Sequence, residues 1–391
     1  MQGSRGAHAR ALWYARAIYF WYYLALGTLY PFLNLYFEHI GLSGPLIGLL
    51  ASVSGWIGPF AGSLWSGLAD RLGLHRRLLT WALLGTLLVG FSYSLTTRFW
   101  PLLLISQAYA VLSSPIPALM DSAAVEIGAK GGKSFGHLRV WGTLGWIAST
   151  SLVGLLIERD IRYQFPAFAV SMALTALVSV FQPPREQTWQ RPVREGVQLL
   201  LRRPATLLFL ASVFLLSVGN SGANQFFSIY LASIGAGGSL IGAAWAVSAL
   251  SEVPMMFFSS SIMRRVGLRG ILSIAFLTYA VRWFWLSVVT SPEGAIVAQV
   301  LQGVSFAFFL VGGVTYMSRL APPGLGTTAQ ALFTGTTFGL GASVGSILGG
   351  FLYRGLGLRR MYFVDGVLGL AAYLVFLAQA RRSDGQHPAG G

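Results

Sequence analysis

Few ionisable side chains interrupt the long apolar runs of this chain, and several of those are spaced so that they could act together. Arg139, Thr143 and Trp146 stand at i, i+4 and i+7 and so share one helical face. Asp121 lies eighteen residues before Arg139, far enough to come from the preceding helix. A carboxylate and a guanidinium so placed could partner each other at a substrate site, with the indole on the same face as the guanidinium. Glu252 and Arg282 make a second candidate pair, and Gln299 and Gln302 supply amides that both donate and accept. No spacing suits a catalytic triad, a metal ion or a phosphate-binding glycine loop, and there is no cysteine. No catalytic residue, metal ligand or cofactor is therefore expected.

Each candidate has a plainer alternative. Arg139 is close enough to a helix end to snorkel its charge to the interface, and Trp146 could simply pack. A charge inside a membrane helix otherwise needs a cavity or a partner, because facing lipid costs several kcal/mol. Glu252, set among Ala249, Leu250, Val253, Pro254 and two methionines, leaves two readings open. Unpaired, it would bind and release a proton; paired with Arg282, it would be a fixed structural charge. Asp365 and Glu126 are weaker candidates, expected to be paired or interfacial.

The elements that must position these groups follow from composition. Hydrophobic residues make up 54% of the chain and charged residues 10%, against roughly 25% charged in a soluble domain. Twelve apolar segments of spanning length are predicted as helices: 14–37, 45–68, 79–97, 100–125, 137–157, 163–182, 205–231, 237–262, 270–290, 293–318, 327–353 and 361–380. A net charge of +15 invites a nucleic-acid reading, but the basic residues follow the membrane. With both termini inside, 19 lie on the cytoplasmic side, six outside and two in the membrane. Arg354, Arg359 and Arg360, between the last two helices, run against that bias.

The same body occurs twice. At an offset of 194, Ile40-Gly41 maps onto Ile234-Gly235, Leu46-Ile47-Gly48 onto Leu240-Ile241-Gly242, and Arg71-Leu72-Gly73-Leu74 onto Arg265-Val266-Gly267-Leu268. The longest polar break, 183–204, falls at mid-chain. Three parts are expected: a six-helix bundle over 1–182, a cytoplasmic linker over 183–204 and a second bundle over 205–391. The end of the linker, Val197 to Arg203, reads either as a short helix on the membrane face or as a solvated loop. Gly341, Gly345 and Gly349 repeat at four-residue spacing, and Gly58 and Gly62 do likewise, so another helix is expected to come close at each.

Gly67-Leu-Ala-Asp-Arg-Leu-Gly-Leu-His-Arg-Arg77 resembles the loop motif between the second and third helices of the major facilitator superfamily. The resemblance covers essentially the whole chain: twelve helices, duplicated halves, a central linker and inside termini. It implies that Gly67, Asp70, Arg71, Gly73, Arg76 and Arg77 form a gating motif. Asp70 would accept hydrogen bonds from the exposed N–H groups of another helix end and latch the cytoplasmic side. The plainer reading is that Asp70 only offsets its neighbouring arginines. In the second copy Arg264 replaces the acid.

A narrower resemblance lies in 121–146. Phe135 to Trp146 is similar to the fifth helix of lactose-permease-like and phenylpropionate-permease-like proton symporters, with Asp121, Arg139 and Trp146 at matching spacings. That resemblance implies an acid and an arginine on substrate hydroxyls and a tryptophan on a sugar ring. The region of Tyr19, Phe20, Tyr23, Pro31 and Phe32 looks like the first helix of the same group. The ninth-helix arginine of its proton network falls on Arg282. Its tenth-helix lysine, histidine and glutamate are Gln299, Gln302 and Ser305 here, and its seventh-helix aspartates are Asn220 and Ala223. Most of that proton-translocating cluster is therefore absent, and coupling would fall to Glu252, Arg282 and Asp121.

The expectation is an all-α membrane protein of two six-helix halves, monomeric, in the inner membrane. It would move a small organic solute, a sugar or an aryl carboxylate, by alternating access and proton symport. Solute would sit near the midplane between the halves. Its partners are the solute, protons and the lipid bilayer, with no nucleic acid. A proton-driven efflux pump of the same fold is the alternative, and a non-transporting receptor on this fold is a third reading.

Overall fold

In an apolar phase a chain segment must satisfy its own backbone N–H and C=O groups, so runs of this length fold as helices. The computed structural model describes residues 2–131, 135–182, 194–322 and 324–385, which hold helices and turns and no strand. The helices are α1 (Gln2–His39), α2 (Gly44–Leu72), α3 (His75–Ser92), α4 (Phe99–Ser113), α5 (Pro115–Gly131), α6 (Phe135–Ile157) and α7 (Gln164–Ser179). After the mid-chain break come α8 (Arg194–Leu201), α9 (Pro204–Gln225), α10 (Phe227–Ser233), α11 (Gly238–Val288) and α12 (Pro292–Leu320). The last are α13 (Gly326–Thr334), a π-helical stretch (Gly335–Gly341), α14 (Ala342–Leu356) and α15 (Leu358–Gly385).

All twelve expected segments are helical over most of their length, with breaks such as those at Ser114 and Phe226 and non-helical ends at 96–97 and 289–290. Among the described residues ten helices are long and apolar enough to cross a membrane, and one of them is the 51-residue α11. Gly267, at φ 75°, breaks α11 between two expected segments. The first helix is not among the ten; Tyr14, Tyr19, Tyr22, Tyr23, Tyr30 and Tyr36 keep it less apolar. Most of the linker, 183–193, lies outside the described residues, and its end is the helix α8.

The duplication is visible in the backbone. Gly41 and Gly235 have φ of 89° and 94°, and Gly73 and Gly267 have φ of 65° and 75°. These are left-handed conformations that side chains with a Cβ disfavour, which explains why glycine survives in both copies. The repeated Gly48 and Gly242 serve a different purpose. A Cβ at Gly48 would land on the Ser346 carbonyl, and one at Gly242 on the Thr150 carbonyl. One turn earlier, Gly44 meets the backbone of Gly350 and Gly238 meets that of Gly154.

These contacts account for the chain's division. One compact unit comprises Met1–Leu42, Trp56–Gln190 and Ala236–Ala249; the other comprises Ser43–Gly55, Arg191–Gly235 and Leu250–Gly391. The start of α11 packs on α6 within the first unit, and the start of α2 packs on α14 within the second. Division at 183–204 alone therefore misses two exchanged segments. Inside the first unit α1 lies along α5, α6 and α7, and α3 along α4, α5 and α7. Inside the second, α9 lies along α14, α15 and the π-helical stretch.

The glycine expectations divide. Gly341, Gly345 and Gly349 do bring backbone close, against Ser217, Val218 and Gly222 of α9. Gly58 and Gly67 have open space where a Cβ would stand, and Gly62 has only ordinary contact with Ser114. The tight stretch of α2 is Gly44, Gly48 and Gly55, about one to four turns before Gly58. Arg359, one of the three arginines against the charge bias, donates to the Val289 carbonyl at 3.0 Å, and Tyr230 donates to the same oxygen. It serves a helix end, so its place is set by a hydrogen bond rather than by the membrane's charge preference.

At the opposite terminus of α11, Glu158 accepts from the Ser239 backbone N–H at 3.0 Å and from the Ser239 hydroxyl. A carboxylate at a helix N-terminus is favoured by the helix dipole. The two Ser239 donors, hydroxyl first, hold Glu158 below the usual glutamate range.

Two predictions follow from this packing. Gly242→Leu should destabilise the purified protein by about 1–3 kcal/mol or more by thermal melt, whereas Gly58→Ala should stay within about 0.5 kcal/mol. Glu158→Gln should lower the melting temperature at neutral pH. Because the folded pKa is depressed, that difference should close as pH falls below about 4.

Candidate functional site

The site in the first unit is built on a seam of small residues between α1 and α6. A Cβ at Gly145 would strike the Phe20 carbonyl, one at Gly142 the Tyr23 ring, and one at Gly27 the Ser149 hydroxyl. With α6 pressed this closely on α1, the face carrying Arg139 and Trp146 meets the face carrying Tyr19, Tyr23 and Tyr30. Those three tyrosines stand at i, i+4 and i+11, which keeps them within about 40° around the helix.

The polar end of the site centres on Asp121, from α5. The Tyr19 hydroxyl donates to Asp121 Oδ1, and Arg139 Nη1 lies 3.9 Å from the same oxygen. The Arg139 guanidinium also sits 5.5 Å from the centre of the Tyr23 ring, and the Tyr19 and Tyr23 rings stack at 6.2 Å. A cation over an aromatic face gains from the ring quadrupole, which keeps Arg139 on the α1 side. The Arg139 and Asp121 side chains remain 47% and 41% exposed. Arg139 is thus held by an acid and a ring, and its free N–H groups remain accessible.

The aromatic end lies toward Trp146. Its ring centroid is 6.0 Å from that of Tyr30 and 6.2 Å from that of Trp245, and Tyr30 and Trp245 are 5.9 Å apart at 83°. Trp245 comes from the stretch of α11 that belongs to this unit, where Gly238, Gly242 and Trp245 share a face at i, i+4 and i+7. Sequence reading did not assign Trp245 or Tyr30. The tyrosine spacing on α1 carried the signal for the one, and the repeated glycine face of α11 for the other. Thr143, on the same face as Arg139 and Trp146, is partly buried.

The second unit holds a different cluster. Arg282 is fully buried and donates through Nη2 to Gln299 Oε1 at 2.7 Å. The acid whose charge bears on it is Asp365, from α15. The ion pair of Arg282 with Glu252 weighed from sequence is not formed: Arg282 turns to Gln299, and Glu252 lies half-buried where its charge bears on Tyr279. The expectation for Asp365 also fails. It is 2% exposed, neither interfacial nor closed into an ion pair, and its Oδ2 has no hydrogen-bond partner. Gln302 is buried on α12 one turn beyond Gln299.

For the gating motif, Gly73 ends α2 in its left-handed conformation, and Arg71, Arg76 and Arg77 are exposed. The side chain of Asp70 lies outside the described residues. Among the described residues no group of three or more His, Cys, Asp or Glu could hold a metal ion.

An ion pair open to solvent contributes only about 0–1 kcal/mol. Asp121→Asn and Arg139→Ala should therefore melt close to the parent protein, while Arg282→Ala, which removes a fully buried hydrogen-bonded charge, should lose about 3 kcal/mol or more. Thermal melts of the three variants side by side check this.

The family model described as the MFS_1 like family matches residues 12–364. A maltose permease of Geobacillus stearothermophilus is 30% identical over 369 residues, covering 93% of this chain and 93% of its own. A protein of Escherichia coli (strain K12) named "Probable 3-phenylpropionic acid transporter" is 27% identical, covering 90% of this chain and 94% of its own. The crystal structure of the nucleoside transporter NupG shares the fold, with a TM-score of 0.83 at 17% identity over 95% of this chain and 99% of that one. Helices of spanning length and a family match over nearly the whole chain agree: the chain belongs to the MFS_1 like family and is a multi-pass membrane transporter of small organic solutes, not an enzyme.

Proposed function

We propose that the chain is a sugar–proton symporter of the cytoplasmic membrane, working as a monomer with both termini inside. The observation that carries the substrate class is the arrangement of the first unit's site: the Asp121–Arg139–Tyr19 group next to the Tyr30–Trp146–Trp245 aromatics. A pyranose has hydroxyls at its edge and C–H groups on its faces, and it suits a polar group beside aromatic walls. Asp121 also speaks for a neutral solute. An anion drawn to Arg139 would meet the carboxylate 3.9 Å away, while a hydroxyl can donate to Asp121 and accept from Arg139.

The maltose permease relative supports this reading. An aryl carboxylate is the second candidate, favoured by the exposed guanidinium among aromatic rings and by the phenylpropionic acid relative. Export of apolar cations fits poorly with Arg139 in the site. In this scheme the motif from Gly67 to Arg77 latches the cytoplasmic side, with Asp70 as acceptor.

A melt screen of the purified protein against maltose, other disaccharides, nucleosides and phenylpropionate tests the proposal, since a ligand of the folded state raises the melting temperature by mass action. Stabilisation by a disaccharide that is lost in both Asp121→Asn and Arg139→Ala is expected. Stabilisation by phenylpropionate that survives Asp121→Asn would replace the sugar with the acid. No shift from any class, with both variants folded, would bring export forward.

A further inference from the structure

The second unit encloses a charge that its surroundings leave unfinished. Asp365 is 2% exposed and its Oδ2 meets no donor; Arg282 is 0% exposed, and its Nε and Nη1 meet no acceptor. In a water-poor interior such groups are ordinarily satisfied, and an ionisable residue there marks an ion or proton path. The two charges attract one another without closing to hydrogen-bond distance, while Arg282 donates through Nη2 to Gln299.

α9 packs closely over the acid. Across from Asp365 stand Gly219 and Gly222 of α9; a Cβ at Gly222 would lie 3.6 Å from Asp365 Oδ1. The ionisable neighbours are few. α11 brings Arg282 and Tyr279, α15 itself brings Tyr362, and Tyr230 of α10 packs on Tyr362 at 4.9 Å between ring centroids. α9 carries no ionisable side chain, and α14 has only Tyr353 and Arg354, near its end. The charge state of Asp365 is thus set first by its burial and then by Arg282, which Gln299 holds.

We propose that Asp365, not Glu252, binds and releases the coupling proton, and that Arg282 alternates between Gln299 and Asp365 as the proton comes and goes. With the proton on Asp365 the acid is neutral and Arg282 rests on Gln299, the arrangement seen here. When the proton leaves, the carboxylate draws Arg282 into an ion pair and the amide is released. The charge of the cluster changes by the one proton transferred. This rests on the symport reading above; the sealed position of Asp365 and its unpaired oxygen are independent of it.

Infrared difference spectroscopy of the full-length protein in lipid nanodiscs tests the assignment through the C=O stretch of a protonated carboxyl group, with no solute needed. A protonated-carboxyl band is expected at neutral pH, lost in Asp365→Asn and kept in Glu252→Gln and Asp121→Asn. The pH midpoint of the band should move up by about one unit or more in Arg282→Gln, which removes the nearby cation, and down in Gln299→Ala, which frees Arg282 for Asp365. A band indifferent to Asp365→Asn, or absent in the parent protein, overturns the assignment. If Asp365→Asn does not fold, the opposed shifts of the other two variants decide alone, and equal or absent shifts overturn it. Vesicles loaded with a pH dye and given maltose separate the two claims. Maltose flux without proton movement sinks the symport reading, and proton movement with a band untouched by Asp365→Asn sinks this assignment alone.

Discussion

Backbone-to-backbone approach of helices at small residues is the constraint on which the rest depends. Lipid is as apolar as leucine, so helices in a bilayer gain little from hiding greasy surface from each other and must gain from contact. In the first unit that contact is the seam of Gly142, Gly145 and Ser149 against Phe20, Tyr23 and Gly27. A Cβ at Gly145 would displace α6 from the α1 backbone and with it Arg139 and Trp146 from the tyrosines that surround them. The chemistry of the site is therefore set by residues that have none of their own.

The two charged groups solve opposite problems. Asp121 and Arg139 stay near half exposure, keep water as a partner, and are steadied by a tyrosine hydroxyl and a tyrosine ring rather than by their mutual attraction. Such a pair can exchange water for solute hydroxyls at little cost. Arg282 and Asp365 are buried, so a change in the charge of one bears directly on the other. An open pair suits a solute that enters and leaves, and a sealed pair suits a charge that must be counted.

Most of the fold was legible in the sequence because the helix signal is strong in an apolar medium: length alone identifies a spanning segment. The face carrying Arg139 and Trp146 was legible too, since the i, i+4, i+7 spacing on one helix fixes it, and Asp121 as partner came from the resemblance of 121–146. The sealed pair was misread. Glu252 and Asp365 are both lone acids in apolar runs, and sequence does not say which helix faces Arg282; that depends on rotations set by packing. Tyr30 and Trp245 went unassigned for a related reason. An aromatic residue in a membrane helix is ordinary, and only the meeting of three from three helices gives it meaning. The glycines of α2 show the limit of spacing as a guide: Gly58 and Gly62 share the four-residue interval of Gly44 and Gly48, yet only at the earlier pair would a Cβ collide with backbone.

The duplication separates what holds the chain together from what it works on. At an offset of 194 the left-handed glycines recur, and so do Gly44 and Gly48 as Gly238 and Gly242. Their seats, Ser346 and Gly350 in one case and Thr150 and Gly154 in the other, recur at 196. The charges do not. Over the same offsets Asp121 falls on Thr315 to Met317 and Arg139 on Phe333 to Gly335, while Arg282 falls back on Thr86 to Leu88 and Asp365 on Ala169 to Ser171. No charged residue stands at any of these counterparts. Two copies of one scaffold have kept the contacts that the bilayer demands of both and taken on different polar groups, an open pair in one and a sealed pair in the other. Under the proposed assignment, solute recognition and proton binding diverge without disturbing the packing that both require.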